Sequence, residues 1–253
     1  MLKKYVYLFG IYIDDIPISR ALGLARTSLY SKGQRIFFTP NLEMLEAARK
    51  SDEIKSMLNC ASVLLPDGVG VLLTSRLTDT PIANKVAGIE FGEKLIALAE
   101  KERKSIFLLG GYQGVAKKAA KNLLKKHPHL KICGIHNGYF ENEDEIVLKI
   151  QQSQPDILIV CMGFPRQESF VIRHKKDFEN IKVITCLGGA LDVWSGKKKR
   201  APEFLQKAHL EWAWRTVIEP KRALRLIKSL PVFAFALGDK FQKLVSNKSI
   251  KAK

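Results

Sequence analysis

DILIVCMGFPRQES, residues 156–169, follows Asp156 with an unbroken apolar run and a glycine and proline turn that leads into polar, helix-forming residues. A short apolar run bounded by such a turn reads as a buried strand feeding a helix. Working outward in both directions, the same unit recurs. RIFFTP (35–40), SVLLPDG (62–68), SIFLLGG (105–111), KICGI (131–135) and KVITCLGG (182–189) read as further strands. NLEMLEAARK (41–50), GIEFGEKLIALAEK (88–101), GVAKKAAKNLLKKH (114–127), ENEDEIVLKIQQ (141–152) and RQESFVIRHKKD (166–177) read as the helices between them. Alternation on this scale predicts an α/β fold: a Rossmann-like, mostly parallel sheet with helices on both faces. YVYLFGIYIDDIP (5–17) reads as a short strand pair at its edge.

After Trp194 the pattern breaks at SGKKKRAPEF (195–204), where a basic run and a proline mark a boundary. Residues 1–196 are therefore expected to form the α/β domain. Residues 197–253 form a basic appendage with helical stretches at Leu205–Thr216 and Pro220–Leu230. That appendage carries 15 Lys and Arg against 4 Asp and Glu, a net +11 of the chain's total of +17. Such a cluster implies an anionic partner: phospholipid headgroups, a diphosphate or nucleic acid. Its Trp212 and Trp214 stand among Arg215, Lys221, Arg222, Arg225 and Lys228. Arg222 and Arg225 share a helical face that suits a diphosphate, and the tryptophans suit a headgroup boundary. Nucleic acid would explain the charge but not the acids at the strand ends, and is set aside.

The 253 residues, 46% of them hydrophobic, suffice for one sizeable core. The longest apolar stretch, Leu230–Gly238, falls well short of the roughly 18 to 20 residues a membrane span needs. The opening MLKKYVYLFGIYIDD turns acidic too early for a signal peptide, so a cytoplasmic location is expected. The four cysteines, Cys60, Cys133, Cys161 and Cys186, are far apart and read as buried free thiols.

Ligands of open α/β sheets bind outside the carboxyl ends of the strands, so the turns there carry the functional reading. Asp67, between Pro66 and Gly68, is either a general base projecting from that edge or a turn and helix cap. Thr39 and Asn41 end another strand; they either hold a sugar, or Asn41 caps the helix that follows. The turn at Gly110 and Gly111 suits a phosphate or nucleoside, with a purely structural glycine turn as its alternative. A nicotinamide cofactor is disfavoured, because the turn lacks the GxGxxG form and the next strand runs into His136 and Asn137 rather than an acid. Gly163, Pro165, Gln167 and Glu168 occupy the next turn, and Gly188, Gly189 and Asp192 the one after, although Asp156 and Asp192 also suit structural caps. ENEDE (141–145) reads as a capping box built on Asn142 and Glu145, not a metal site. The histidines lack metal-ligand spacing, and His127, His129 and His174 read as exposed helix ends. No metal or cofactor is expected, leaving cationic side chains to offset a leaving group's charge.

In combination, TPNLEML, LLPDGVGV, LLGG with HPHLKICGIHNGYF, PDILIVCMGFPRQE, GKKKRAPEF and LEWAWRTVIEPKR resemble the WecG/TagA/CpsF family of glycosyltransferases, over Thr39 to Arg225. The resemblance implies an inverting, metal-independent enzyme. It would move N-acetylmannosamine or a related N-acetylhexosamine from a UDP donor to polyprenyl-diphosphate-linked GlcNAc, in wall teichoic acid or surface-polysaccharide synthesis. It implies Asp67 as base, with Thr39, Asn41 and Gln167 around it. Donor and acceptor binding then fall to Lys85, Gly110, Gly111, Tyr139, Gly163, Pro165, Glu168, Gly188 and Asp192. Arg215, Arg222 and Arg225 face phosphate, and residues 197–253 meet an anionic membrane at the inner face of the plasma membrane. A homo-oligomer is compatible with this. KVAGIE (85–90) departs from the family pattern, with Lys85 where an arginine and Glu90 where an aspartate is expected; lysine keeps the charge but loses the bidentate fork.

Overall fold

A computed structural model describes residues 5–78, 80–202, 204–205, 211–218, 220–238 and 240. Six strands form one parallel sheet: β3 (Arg35–Phe38), β4 (Val63–Leu64), β5 (Ser105–Gly110), β6 (Lys131–His136), β7 (Ile157–Cys161) and β8 (Val183–Cys186). Their order is β4-β3-β8-β7-β5-β6. β3 and β5 send their next strands to opposite edges, and β7 and β8 fill the gap. That arrangement leaves room for a ligand beyond the central strands' carboxyl ends. β1 (Tyr5–Leu8) and β2 (Ile11–Asp14) make a separate antiparallel hairpin, with Tyr7 opposite Tyr12.

Side chains alternate between two cores, as successive residues of a strand must. Phe37, Ile106, Leu108, Ile157 and Ile159 face one side, under α1 (Ile18–Tyr30), α5 (Gly88–Lys101), α6 (Val115–Lys126) and α9 (Ala190–Trp194). Ile36, Phe38, Phe107, Leu158 and Val160 face the other, with the hairpin. That side is covered by α2 (Leu42–Lys50), α3 (Asp52–Asn59), α4 (Val69–Leu77), α7 (Glu143–Ser153) and α8 (Arg166–Arg173). The sequence reading lacked α1, α3, α4 and α9. Asp156 is a structural cap: its Oδ2 accepts from the Ser105 N–H and hydroxyl at 2.8 and 3.0 Å, and Ser105 Oγ accepts its N–H.

The appendage contributes α10 (Glu211–Ile218) and α11 (Pro220–Ser229), with a further helix over 231–238. The expected helix at Leu205–Thr216 overlaps α10; residues 206–210 lie outside the described residues. The last helix is docked: Val232 and Ala236 are fully buried, and the Arg49 guanidinium of α2 sits 3.7 Å over the Phe235 ring.

Two of the expected buried thiols, Cys161 and Cys186, are buried, and burial pushes the first up to about 12. Cys60 is exposed instead, because it caps the C-terminus of α3, and Cys133 is half-buried on the sheet's edge strand β6. His174 is half-buried rather than exposed, its ring held between Glu143 and Asp177 at 3.1 and 2.9 Å, and His127 is half-buried against Glu100 at 2.7 Å.

Candidate active site at the carboxyl edge of the sheet

The β3 and β4 turns are stitched together by backbone bonds, Leu65 N–H to Phe38 O and Asp67 N–H to Pro40 O, both 2.9 Å. A third, Val86 N–H to Pro66 O at 2.9 Å, adds the segment that enters α5. Asp67 is half-buried at this rim, and Gly68, at φ 91°, occupies the N-cap position of α4 in its place. Thr39 is 8% exposed, its hydroxyl 3.5 Å from Cys186 O. Asn41 caps α2, its Oδ1 accepting the Met44 N–H at 3.1 Å, so the capping role weighed for it is realised.

Gly88 begins α5, and its backbone lies where these two turns converge. A Cβ there would fall 2.9 Å from Thr39 Oγ1 and 3.4 Å from Asp67 Oδ2. A hydroxyl, a carboxylate and the positive end of a 14-residue helix therefore meet at one point. Ala87, the N-cap, offers no side-chain acceptor to that helix end. Lys85 lies half-buried three residues before Gly88.

Gly110 and Gly111 form the β5 turn. Gly110 is required by close approach: a Cβ would fall 2.2 Å from Cys161 O. Beside this turn Tyr112 and Tyr139 stack, centroids 4.5 Å apart and planes 14° from parallel, each more than half exposed. Lys197 Nζ lies 4.2 Å over Tyr112, and the Arg166 guanidinium 5.7 Å over Tyr139. The Tyr112 hydroxyl and partial burial push the Tyr139 phenol up. An exposed aromatic pair flanked by two cations suits a flat base joined to negatively charged phosphate.

Gln167 and Glu168 are placed differently from their expected roles. Both are buried, because the phase of α8 turns residues 167, 168, 170 and 171 inward. Gln167 Oε1 accepts the N–H groups of Gly163 and Gly188 at 3.2 and 3.0 Å, joining the β7 and β8 turns. Its Nε2 donates to Glu168 Oε1 at 2.8 Å. Burial pushes the Glu168 carboxyl up to about 7, against the lowering by Gln167. Both side chains lie beneath the turns they hold, whereas Pro165 and Arg166 of the same turn are exposed. Asp192 is half-buried with its Oδ2 3.6 Å from Lys198 Nζ, and its carbonyl accepts the Lys198 N–H.

Of the appendage arginines, Arg225 is described in full: it is 54% exposed, 3.9 Å from Glu43 in the first turn of α2. Arg215 and Arg222 lie on α10 and α11, with side chains outside the described residues. Asn142 caps α7, its Oδ1 accepting the Asp144 N–H and its amide donating to Glu145. Among the described residues no three His, Cys, Asp or Glu side chains gather where they would hold a metal ion, and no helix is long and apolar enough to cross a membrane. Shallow depressions of about 440 and 340 Å³ lie elsewhere, one at the strands' opposite end around Lys32 and Lys182, the other beside the hairpin around Tyr12 and Asn59.

Reasoning from sequence missed Gly88, Tyr112, Arg166 and the tandem acids Asp14 and Asp15, both buried. Only the acids carried a signal, two adjacent charges ending an apolar strand.

The model of the family described as "Glycosyl transferase WecG/TagA/CpsF family" matches residues 6–246. A protein of Staphylococcus aureus (strain MRSA252) named N-acetylglucosaminyldiphosphoundecaprenol N-acetyl-beta-D-mannosaminyltransferase is 32% identical over 242 residues, 94% of each chain. A protein of the same name from Bacillus subtilis (strain 168) is 33% identical over 202 residues, 80% of this chain and 78% of its own.

Proposed function

The chain belongs to the WecG/TagA/CpsF glycosyltransferase family, and from that premise we propose that it moves N-acetylmannosamine, or a close N-acetylhexosamine relative, from a UDP donor onto undecaprenyl-diphosphate-linked GlcNAc. The product would enter wall teichoic acid or a related surface polymer. The two relatives named for this transfer support the acceptor and the sugar.

The meeting of Thr39, Asp67 and the α5 N-terminus at Gly88 carries the chemical reading. Asp67 takes the proton from the acceptor hydroxyl as that oxygen attacks the anomeric carbon from the face opposite UDP, inverting the configuration. Thr39 orients the sugar. The α5 N-terminus and Lys85 stabilise charge developing on the departing diphosphate without a metal, because helix-end N–H groups and an ammonium supply fixed positive potential. The Tyr112 and Tyr139 platform, with Arg166 and Lys197, takes the uridine end of the donor. Arg215, Arg222 and Arg225 lie with the acceptor's diphosphate, and the appendage rests on the cytoplasmic face of the membrane.

The test is to incubate the purified chain with each UDP-N-acetylhexosamine and a short-chain lipid-diphosphate GlcNAc, with and without a chelator, and to weigh the lipid. Gain of one N-acetylhexosamine, unchanged by the chelator and β-linked by NMR, is expected. No gain with any donor overturns the reading, and loss of the gain in chelator overturns its metal-free part.

A further inference from the structure

The segment between α4 and α5 has no regular secondary structure over 80–87, yet it delivers both Lys85 and the start of α5. Backbone donors along it are taken by groups outside the segment. The Ile82 N–H goes to Ser75 Oγ at 2.9 Å, and the Val86 N–H to Pro66 O at 2.9 Å. The N–H groups of Ala83 and Asn84 go to one atom, Asp15 Oδ1, at 3.0 and 2.9 Å. The same oxygen accepts from Asn84 Nδ2 at 2.9 Å.

Asp15 is 5% exposed, so its charge is taken out of water, a cost that these three donors offset. It is held in place by its neighbour. Asp14, 2% exposed, accepts the Leu64 N–H at 2.9 Å through Oδ2, fastening the hairpin to edge strand β4. Leu64 lies three residues before Asp67. The tandem acids thus reference the Lys85 segment to the strand that carries the candidate base.

We propose that Asp15 is a positioning residue for sugar transfer, holding the 83–86 segment so that Lys85 and the α5 N-terminus meet the donor's diphosphate beside Thr39 and Asp67. This rests on the function proposed above. A carboxylate that fixes two backbone N–H groups in a coil sets where that coil runs. Its loss leaves Ala83 and Asn84 donors without their acceptor, and the loop relaxes while strands β7 and β8 keep their ladder.

The experiment compares Asp15→Ala and Asp15→Asn with the full-length wild type. It reads UDP affinity by calorimetry, donor and acceptor KM separately, and amide exchange of peptides covering 80–91, β7 and β8. Asp15→Ala is expected to raise donor KM and UDP Kd roughly tenfold, to leave acceptor KM within about twofold, and to speed exchange in 80–91 but not in β7 or β8. Asp15→Asn keeps an oxygen acceptor and should recover most of the donor affinity. Should Asp15→Ala fail to fold, Asn84→Ala, which removes one of the donors to Asp15, carries the same measurement, with donor KM and UDP Kd expected to rise about threefold. In Asp15→Ala, or in Asn84→Ala in its place, donor KM and UDP Kd within twofold of wild type, or equal losses in donor and acceptor KM, overturn the proposal while the function stands. A wild type that neither binds UDP nor transfers sugar overturns the function itself, before any variant is made.

Discussion

The Thr39 hydroxyl and the Asp67 carboxylate flank a single backbone position: a methyl group on Gly88 would lie 2.9 Å from Thr39 Oγ1 and 3.4 Å from Asp67 Oδ2. Gly88→Ala therefore forces the hydroxyl aside by a few tenths of an ångström. The expected result is a fall in turnover of roughly ten- to a hundredfold with little change in melting temperature, since alanine suits a helix's first turn. Equal kcat in the two proteins would contradict the convergence.

Asp67→Asn keeps the side chain's size and leaves the backbone bond to Pro40 O in place. Turnover should drop by roughly two to four powers of ten, with the fold intact by circular dichroism. An unchanged rate excludes Asp67 as the base.

Gln167 links the Gly163 and Gly188 turns. Gln167→Ala removes the acceptor of two half-buried N–H groups and the partner of buried Glu168, and should cost about 2–4 kcal/mol of stability by denaturant titration. A loss below about 0.5 kcal/mol would show the turns to be held by other means.

Glu168 sets a pH dependence of stability. Its carboxyl titrates near 7 when folded, against 4.5 when unfolded, because burial disfavours its charge. The folded state then binds the extra proton between those values. The contribution is full below about pH 4.5 and is lost as pH rises through about 7, a decline on the order of 3 kcal/mol. Glu168→Gln should flatten the melting temperature over that window; a wild-type profile already flat there contradicts the buried carboxyl.

On the appendage, Leu224 and Ile227 of α11 are 61% and 59% exposed beside a surplus of cations. Replacing both with serine should weaken binding to anionic vesicles about tenfold, by the apolar area lost, with the salt dependence of binding unchanged. Equal sedimentation with anionic vesicles would remove α11 from the membrane contact.

The parallel sheet was legible because each strand is a short, near-continuous apolar run closed by a turn residue, as in Ile157–Cys161 before Met162 and Gly163. Helices α3 and α4 were not: α3 follows α2 after a single residue, Ser51, which serves both as C-cap of one and N-cap of the next. In α4, VGVLLTSRL is apolar with little periodicity. At the site, Asp67 could be placed at the rim from its Pro and Gly neighbours alone. The inward turn of Glu168 could not, since it depends on the phase of α8 against the sheet. Asp15 lies 68 residues before the N–H group of Ala83 that it holds, and no local pattern announces such a bond.

Helix α2 has the Thr39 to Asn41 turn at one end and, near the other, Arg49 against Phe235 of the docked 231–238 helix. Its nine residues make a stiff rod of about 13 Å. The chain's final described helix and the Thr39 turn are thereby joined through one short, stiff helix.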